Sequence, residues 1–176
     1  LGKGYLIVTA ILFLAMRGLA SAVRNARRKA TLLVNAQRAL FVFVAVAAAG
    51  LAADLLKVIF GRARPKLLFL DGTYGFTWGA TQADHWSFPS GHATTIAALA
   101  TALYLLWPRG LPLYLVAAAL VTASRFIIGA HYLSDALAGA ALGYCVSWAI
   151  WRWFGRVPLA AASAPAQPLP AASGER

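Results

Sequence analysis

Apolar runs alternate along the chain with short basic or polar segments, at lengths that suit membrane-spanning helices. Residues 5–16 are apolar and the run extends to about Val23, enough for one span. Arg17, Arg24, Arg27, Arg28, Lys29 and Arg38 form the densest positive cluster. Residues 40–56 make a second span, interrupted only by Asp54. A short basic segment over 57–66 follows, and then a polar, aromatic loop over 67–88 holding Gly72, Gly75 and Gly79. That loop is too polar to span, and its aromatic rings suit the headgroup layer. Residues 93–107, 111–128 and 132–151 give the third, fourth and fifth spans, the third and fourth joined by a tight turn at Pro108-Arg109-Gly110.

Composition supports the same picture. The 176 residues are 61% hydrophobic and only 12% charged, against about 25% charged in a soluble domain. The expected fold is an all-α integral membrane helical bundle, one domain over residues 1–156, with a disordered Ala/Pro-rich tail over 157–176. The single cysteine, Cys145, excludes an intrachain disulfide and reads as packing.

The net charge of +11 is too scattered for a nucleic-acid surface, because much of it falls between spans. With the Arg17–Arg38 cluster in the cytoplasm, Arg109, Arg152 and Arg156 also fall inside. Lys57, Arg62, Arg64, Lys66 and Arg125 then fall outside, against the rule, and binding an anion would explain them. The same assignment puts residues 1–4 outside. A sixth span ahead of Leu1, which is not a Met, would return the N-terminus to the cytoplasm.

Three separated segments share that outer face. In Lys57-x6-Arg64-Pro65, an ammonium and a guanidinium can clamp a phosphate, although a snorkelling basic anchor would read the same way. Pro89-Ser90-Gly91-His92 opens an apolar helix, whose free N–H groups make an anion cradle. Ser90 also suits a plain N-cap, while His92 has no such structural excuse and can serve as acid and base. His85, in the polar loop, reads as a solvated residue or headgroup contact. In Ser124-Arg125-x5-His131-x3-Asp135, a helix from Ala130 would set His131 and Asp135 on one face. The carboxylate could then fix the imidazole tautomer and leave the other nitrogen free to attack. Charge stabilisation, a nucleophile and a proton donor are what phosphoryl transfer requires.

These three segments, all complete, resemble the signature of the type 2 phosphatidic acid phosphatase and haloperoxidase superfamily, in its membrane branch of lipid phosphate phosphatases. The resemblance covers residues 57–135 and implies six transmembrane helices, one more than the five visible here. It further implies metal-independent hydrolysis without a cofactor. His131 would become a phosphohistidine with Asp135 in support, and His92 would protonate the leaving alkoxide and then activate water. Lys57, Arg64, Ser90, Gly91 and Arg125 would hold the phosphate. The expected substrate is a membrane lipid monophosphate or diphosphate: phosphatidate, phosphatidylglycerol phosphate, undecaprenyl diphosphate or the 1-phosphate of lipid A.

Other readings compete. Vanadium haloperoxidases of the same superfamily are large soluble proteins, unlike this short apolar chain. A lipid-to-lipid phosphotransferase would share the site. An anion transporter or a non-catalytic lipid binder would need neither His92 nor the His131–Asp135 pair, and a transporter would place ionisable groups deeper in its spans. The Arg-over-Lys, Ala-rich composition points to a bacterium of GC-rich genome, hence to an inner-membrane protein with a periplasmic site.

Overall fold

The computed structural model describes residues 2–154 as six α-helices: α1 (Gly2–Ala22), α2 (Ala26–Phe60), α3 (Pro65–Asp71), α4 (Gly91–Leu106), α5 (Leu111–Ile127) and α6 (Leu133–Phe154). Single 3₁₀ turns lie at Ala83–His85 and Pro108–Gly110. The tail expected over 157–176, and Arg156, lie outside the described residues. Among the described residues the only β pairing is one isolated bridge, Arg62 to Phe76. Helices α2 and α6, and α5 together with its preceding turn, are long and apolar enough to cross a membrane; the apolar stretches Leu6–Ala22 and Gly91–Leu106 are shorter. The chain is an all-helical integral membrane protein.

Helix α4 sits at the centre. Its buried residues Ala93, Thr94, Ile96, Ala97, Ala98, Thr101 and Ala102 face more than one neighbour. Helix α2 buries Ala45, Ala49 and Ala53 at intervals of four, and α6 buries Asp135, Gly139, Gly143 and Ser147 at the same interval. This spacing lays one face of each helix against α4. Small residues matter because lipid is as apolar as leucine, so membrane helices associate by close packing. At Gly143 a Cβ would run into the Thr94 carbonyl, and at Gly139 it would lie 2.5 Å from the Ser90 carbonyl. Ser147 Oγ bonds the Ala98 carbonyl at 3.1 Å along the same seam. Away from the site, Phe41 meets Trp151 edge-on at 5.2 Å and closes the core. Helix α5 has no buried residue and turns Leu113, Val116 and Leu120 outward, as a lipid-facing helix should. Cys145 also faces outward.

Two boundaries differ from the sequence reading. Residues 26–39, read as a basic connection, extend α2 to 35 residues. Asn25 caps this helix by accepting the Arg28 N–H, and the alanines, arginines and lysine that follow favour helix. Hydropathy marks where a helix crosses lipid, not where it starts. The loop over 67–88 also yields α3, begun by Pro65 at its first turn and stopped by Gly72 in the left-handed region. At the end of α2, Gly61 (φ 55°) is required, because a Cβ there would collide with the Thr77 carbonyl. That left-handed turn folds the loop back over the end of the bundle.

Candidate active site

The C-terminal ends of α2 and α5 and the N-terminal ends of α4 and α6 meet at one end of the bundle, and the three motifs meet there. Lys57, in the last turn of α2, lays its ammonium over Gly91: a Cβ on Gly91 would lie 2.8 Å from Lys57 Nζ. Glycine therefore makes room for a cation at the start of α4, where the helix presents its free N–H groups. Lys57 also donates to the exposed Asp54 carboxylate at 2.6 Å. Arg64 Nε donates to the Ala83 carbonyl at 3.1 Å, which anchors the loop side of the site. Arg125, in the last turn of α5, donates from Nε to Ser124 Oγ at 3.1 Å. His92 feels the charges of Arg125, Lys57 and Arg64, and His131 those of Arg64 and Lys57. Lys57 and Arg64 thus act on both histidines, and Arg125 on His92.

The partner of His131 is not the expected one. Gly129, at φ 66°, ends the α5 turn, and α6 begins only at Leu133, so His131 sits in the connection rather than on a helix. Its Nδ1 lies 2.7 Å from the Ser87 carbonyl oxygen. A carbonyl can only accept, so Nδ1 carries the proton and Nε2 of the neutral ring is left bare. The direct Asp135 contact is replaced by an indirect one. Asp135, fully buried in the first turn of α6, receives Ser87 Oγ at 2.6 Å and the Tyr132 N–H at 3.0 Å. The second bond is that of an acidic residue closing a capping box. Its other oxygen receives the Arg62 guanidinium. Asp135 therefore holds Ser87, and Ser87 holds the imidazole.

Ser90 does stand at the N-cap position of α4, but its side chain does not cap the helix. Its backbone N–H donates to the Asp135 carbonyl at 2.9 Å, but its buried hydroxyl makes no capping bond and has no partner among the described residues. A buried hydroxyl without a partner is costly and calls for an explanation, a role in binding or catalysis among them. His85 is half-buried in its 3₁₀ turn rather than solvated, and its buried Nδ1 has no partner among the described residues.

Burial holds His131 below the ordinary imidazole value, and Arg64 and Lys57 push the same way; the Ser87 bond and Asp135 oppose them. The ring is therefore neutral, and Nε2 available, at neutral pH.

Sequence reasoning counted Arg62 only among the outer cations that binding an anion would explain, and gave no role to Ser87. A signal for Arg62 did exist, since an arginine buried beside a membrane needs a carboxylate and the whole chain has only five acidic residues. Nothing local marks Ser87, whose role rests on its carbonyl and on contacts across 44 and 48 residues.

Lys57, Gly91, His92 and Thr95 open onto a cavity of about 500 Å³ that continues along Asp54, Leu51, Gly50, Ala47 and Val46 to Leu6 of α1. It joins a polar head to an apolar groove between helices. A second cavity, of about 690 Å³, lies towards the other end of the bundle, where Arg38 stacks over Trp107. It is larger but holds neither histidine. Among the described residues, no three His, Cys, Asp or Glu side chains are grouped to hold a metal ion.

A helical membrane bundle with histidines and cations gathered at one end defines the class. Residues 38–158 match the family model of the PAP2 superfamily, and the chain belongs to that superfamily. It is 40% identical over 121 residues to the lipid A 1-phosphatase of Rhizobium etli, covering 69% of this chain and 52% of that protein. It is 37% identical over 142 residues to the lipid A 1-phosphatase of Rhizobium johnstonii, covering 80% and 58%. A shorter match, 45% identical over 60 residues, joins it to the decaprenylphosphoryl-5-phosphoribose phosphatase of Mycobacterium tuberculosis, with 34% and 33% covered. The chain spans little more than half the length of the two lipid A phosphatases. No solved structure matches it.

Proposed function

We propose that this chain removes phosphate from a membrane lipid by way of a phosphohistidine, at the periplasmic face of a bacterial inner membrane. The observation that carries the reading is the His131 bond to the Ser87 carbonyl, which leaves Nε2 as a nucleophile under the charges of Arg64 and Lys57, with Arg125 acting on His92. Nε2 attacks phosphorus, and the P–N bond forms as the bond from phosphorus to the lipid oxygen breaks. His92, which holds its proton against the surrounding cations once the anionic phosphate is bound beside it, gives that proton to the departing oxygen. It then takes a proton from water as the water oxygen attacks phosphorus, so that the P–N bond breaks and inorganic phosphate leaves. Lys57, Arg64, Arg125, the Ser90 hydroxyl and the Gly91 N–H carry the charge on the phosphate oxygens. No metal is required for any of these steps.

The apolar groove that begins at Lys57 and His92 fits an acyl chain lying in the bilayer while its phosphate stays at the surface. The names of the two rhizobial relatives favour the 1-phosphate of a lipid A-type glycolipid as substrate. The cationic residues at the opposite end, Arg38 among them, favour a cytoplasmic position for that end and so a periplasmic site.

Phosphate release from lipid A, phosphatidate, phosphatidylglycerol phosphate and undecaprenyl diphosphate, in detergent with EDTA, tests the reading. Release from lipid A that survives EDTA and disappears in His131→Ala is expected. His92→Ala should still bind lipid while turning over at least about 100-fold more slowly. Loss of release on adding EDTA would overturn the histidine mechanism.

A further inference from the structure

Arg62 lies between the two cations of the first motif, and position alone would make it a third phosphate ligand. Its surroundings say otherwise. It is 8% exposed. One terminal nitrogen donates to Asp135 Oδ1 and to Ser134 Oγ at 2.8 Å, and the other to the Tyr74 hydroxyl at 3.2 Å. Its guanidinium carbon stands 4.3 Å from the Tyr132 ring centre, 5.4 Å from that of Phe76 and 5.7 Å from that of Tyr74. The Arg62 backbone pairs with Phe76, and its carbonyl accepts the Ser87 N–H at 3.0 Å. Both hydrogen-bonding ends of the residue therefore reach the His131 support: the side chain through Asp135 and the main chain through Ser87.

We propose that Arg62 is a positioning residue, caged by Tyr74, Phe76 and Tyr132, that acts through Asp135 and Ser87 to hold His131 in its Nδ1–H tautomer, and that it does not bind the phosphate. A guanidinium suits the task because one planar fork reaches Ser134, Asp135 and Tyr74 while its face lies on the rings. An ammonium keeps the charge but cannot span these partners. The proposal rests on the phosphohistidine reading for its kinetic consequence only, since the tautomer can be observed without turnover.

The test compares wild type with Arg62→Lys, Arg62→Met and Arg64→Ala in detergent, using ¹⁵N-histidine-labelled protein and assigning His131 by substitution. Wild-type His131 should show a protonated Nδ1 and a bare Nε2. Both Arg62 variants should show mixed tautomers, kcat lower by about 10–100-fold and KM within about twofold, in line with the cost of losing an outer support. Binding of inorganic phosphate should persist in Arg62→Lys and weaken about 10-fold or more in Arg64→Ala. Arg62→Lys, which keeps the charge, guards against an Arg62→Met protein that does not fold. If Arg62→Lys loses phosphate binding as Arg64→Ala does, Arg62 is a ligand and the proposal fails. If both Arg62 variants keep the wild-type tautomer, it fails as well. A wild type without turnover, whose His131 tautomer is nevertheless lost in both Arg62 variants, would sink the hydrolase reading while upholding the role of Arg62.

Discussion

Substituting Gly139 by alanine tests how closely α4 and α6 approach and whether that approach sets the site. A Cβ at this position would lie 2.5 Å from the Ser90 carbonyl oxygen, 3.0 Å from Thr94 Oγ1 and 3.3 Å from Ala93 Cβ. Ordinary contact begins near 3.4 Å, so the helices must part by about 0.9 Å. The first obstacle is backbone at the root of the Pro89-Ser90-Gly91-His92 motif and cannot swing aside. Overpacking of this kind costs about 1–3 kcal/mol, offset by about 1 kcal/mol from replacing glycine within a helix. The net loss of stability is small, but the catalytic effect is not. Parting the helices carries His92 on α4 away from His131 and Asp135, and a displacement of about 1 Å costs on the order of 100-fold in rate. The same change at Gly18 of α1, where a Cβ meets nothing within 4 Å, supplies the control. Thermal unfolding and phosphate release should show Gly139→Ala melting slightly below wild type with kcat reduced about 100-fold, and Gly18→Ala unchanged or slightly more stable. A Gly139→Ala protein with wild-type turnover and an equal or higher melting temperature would refute the close approach of α4 and α6.

Because burial, Arg64 and Lys57 lower the His131 pKa and the proposed attack requires the neutral ring, the acid limb of kcat/KM should lie below the ordinary 6.5. Removing one of the opposing charges in Arg64→Ala should move that limb upward, and a limb that stays fixed or moves down would contradict the arrangement. Gly50 lines the apolar groove with open space beside it, so Gly50→Phe should fit and fill it. If the ring displaces about two methylenes of a bound chain at ~0.8 kcal/mol each, the preference for long-chain over short-chain lipid phosphates should fall by about 10-fold. An unchanged preference would place the chain elsewhere.

The sequence by itself determined the class of fold, because apolar runs of spanning length leave helices as the way to satisfy the backbone in lipid. It also marked the candidate residues, since Lys, Arg and His at span ends cost too much to be incidental in so apolar a chain. The matching of ends followed as well: alternate crossing alone puts Lys57, Ser90 and His131 on one face. What the sequence misjudged was local and directional. The 35-residue length of α2 escaped hydropathy, because charged residues leave the membrane without leaving the helix. The i,i+4 spacing of His131 and Asp135 suggested a direct bond, whereas Gly129 and the late start of α6 turn the imidazole towards Ser87. Only the tertiary structure could decide that point. The hydrogen-bond partner is a main-chain carbonyl 44 positions away, which no side-chain pattern encodes. Arg62 followed the same rule: the sequence shows one more cation beside Arg64, and only packing shows that its charge is already spent on Asp135 within a cage of rings.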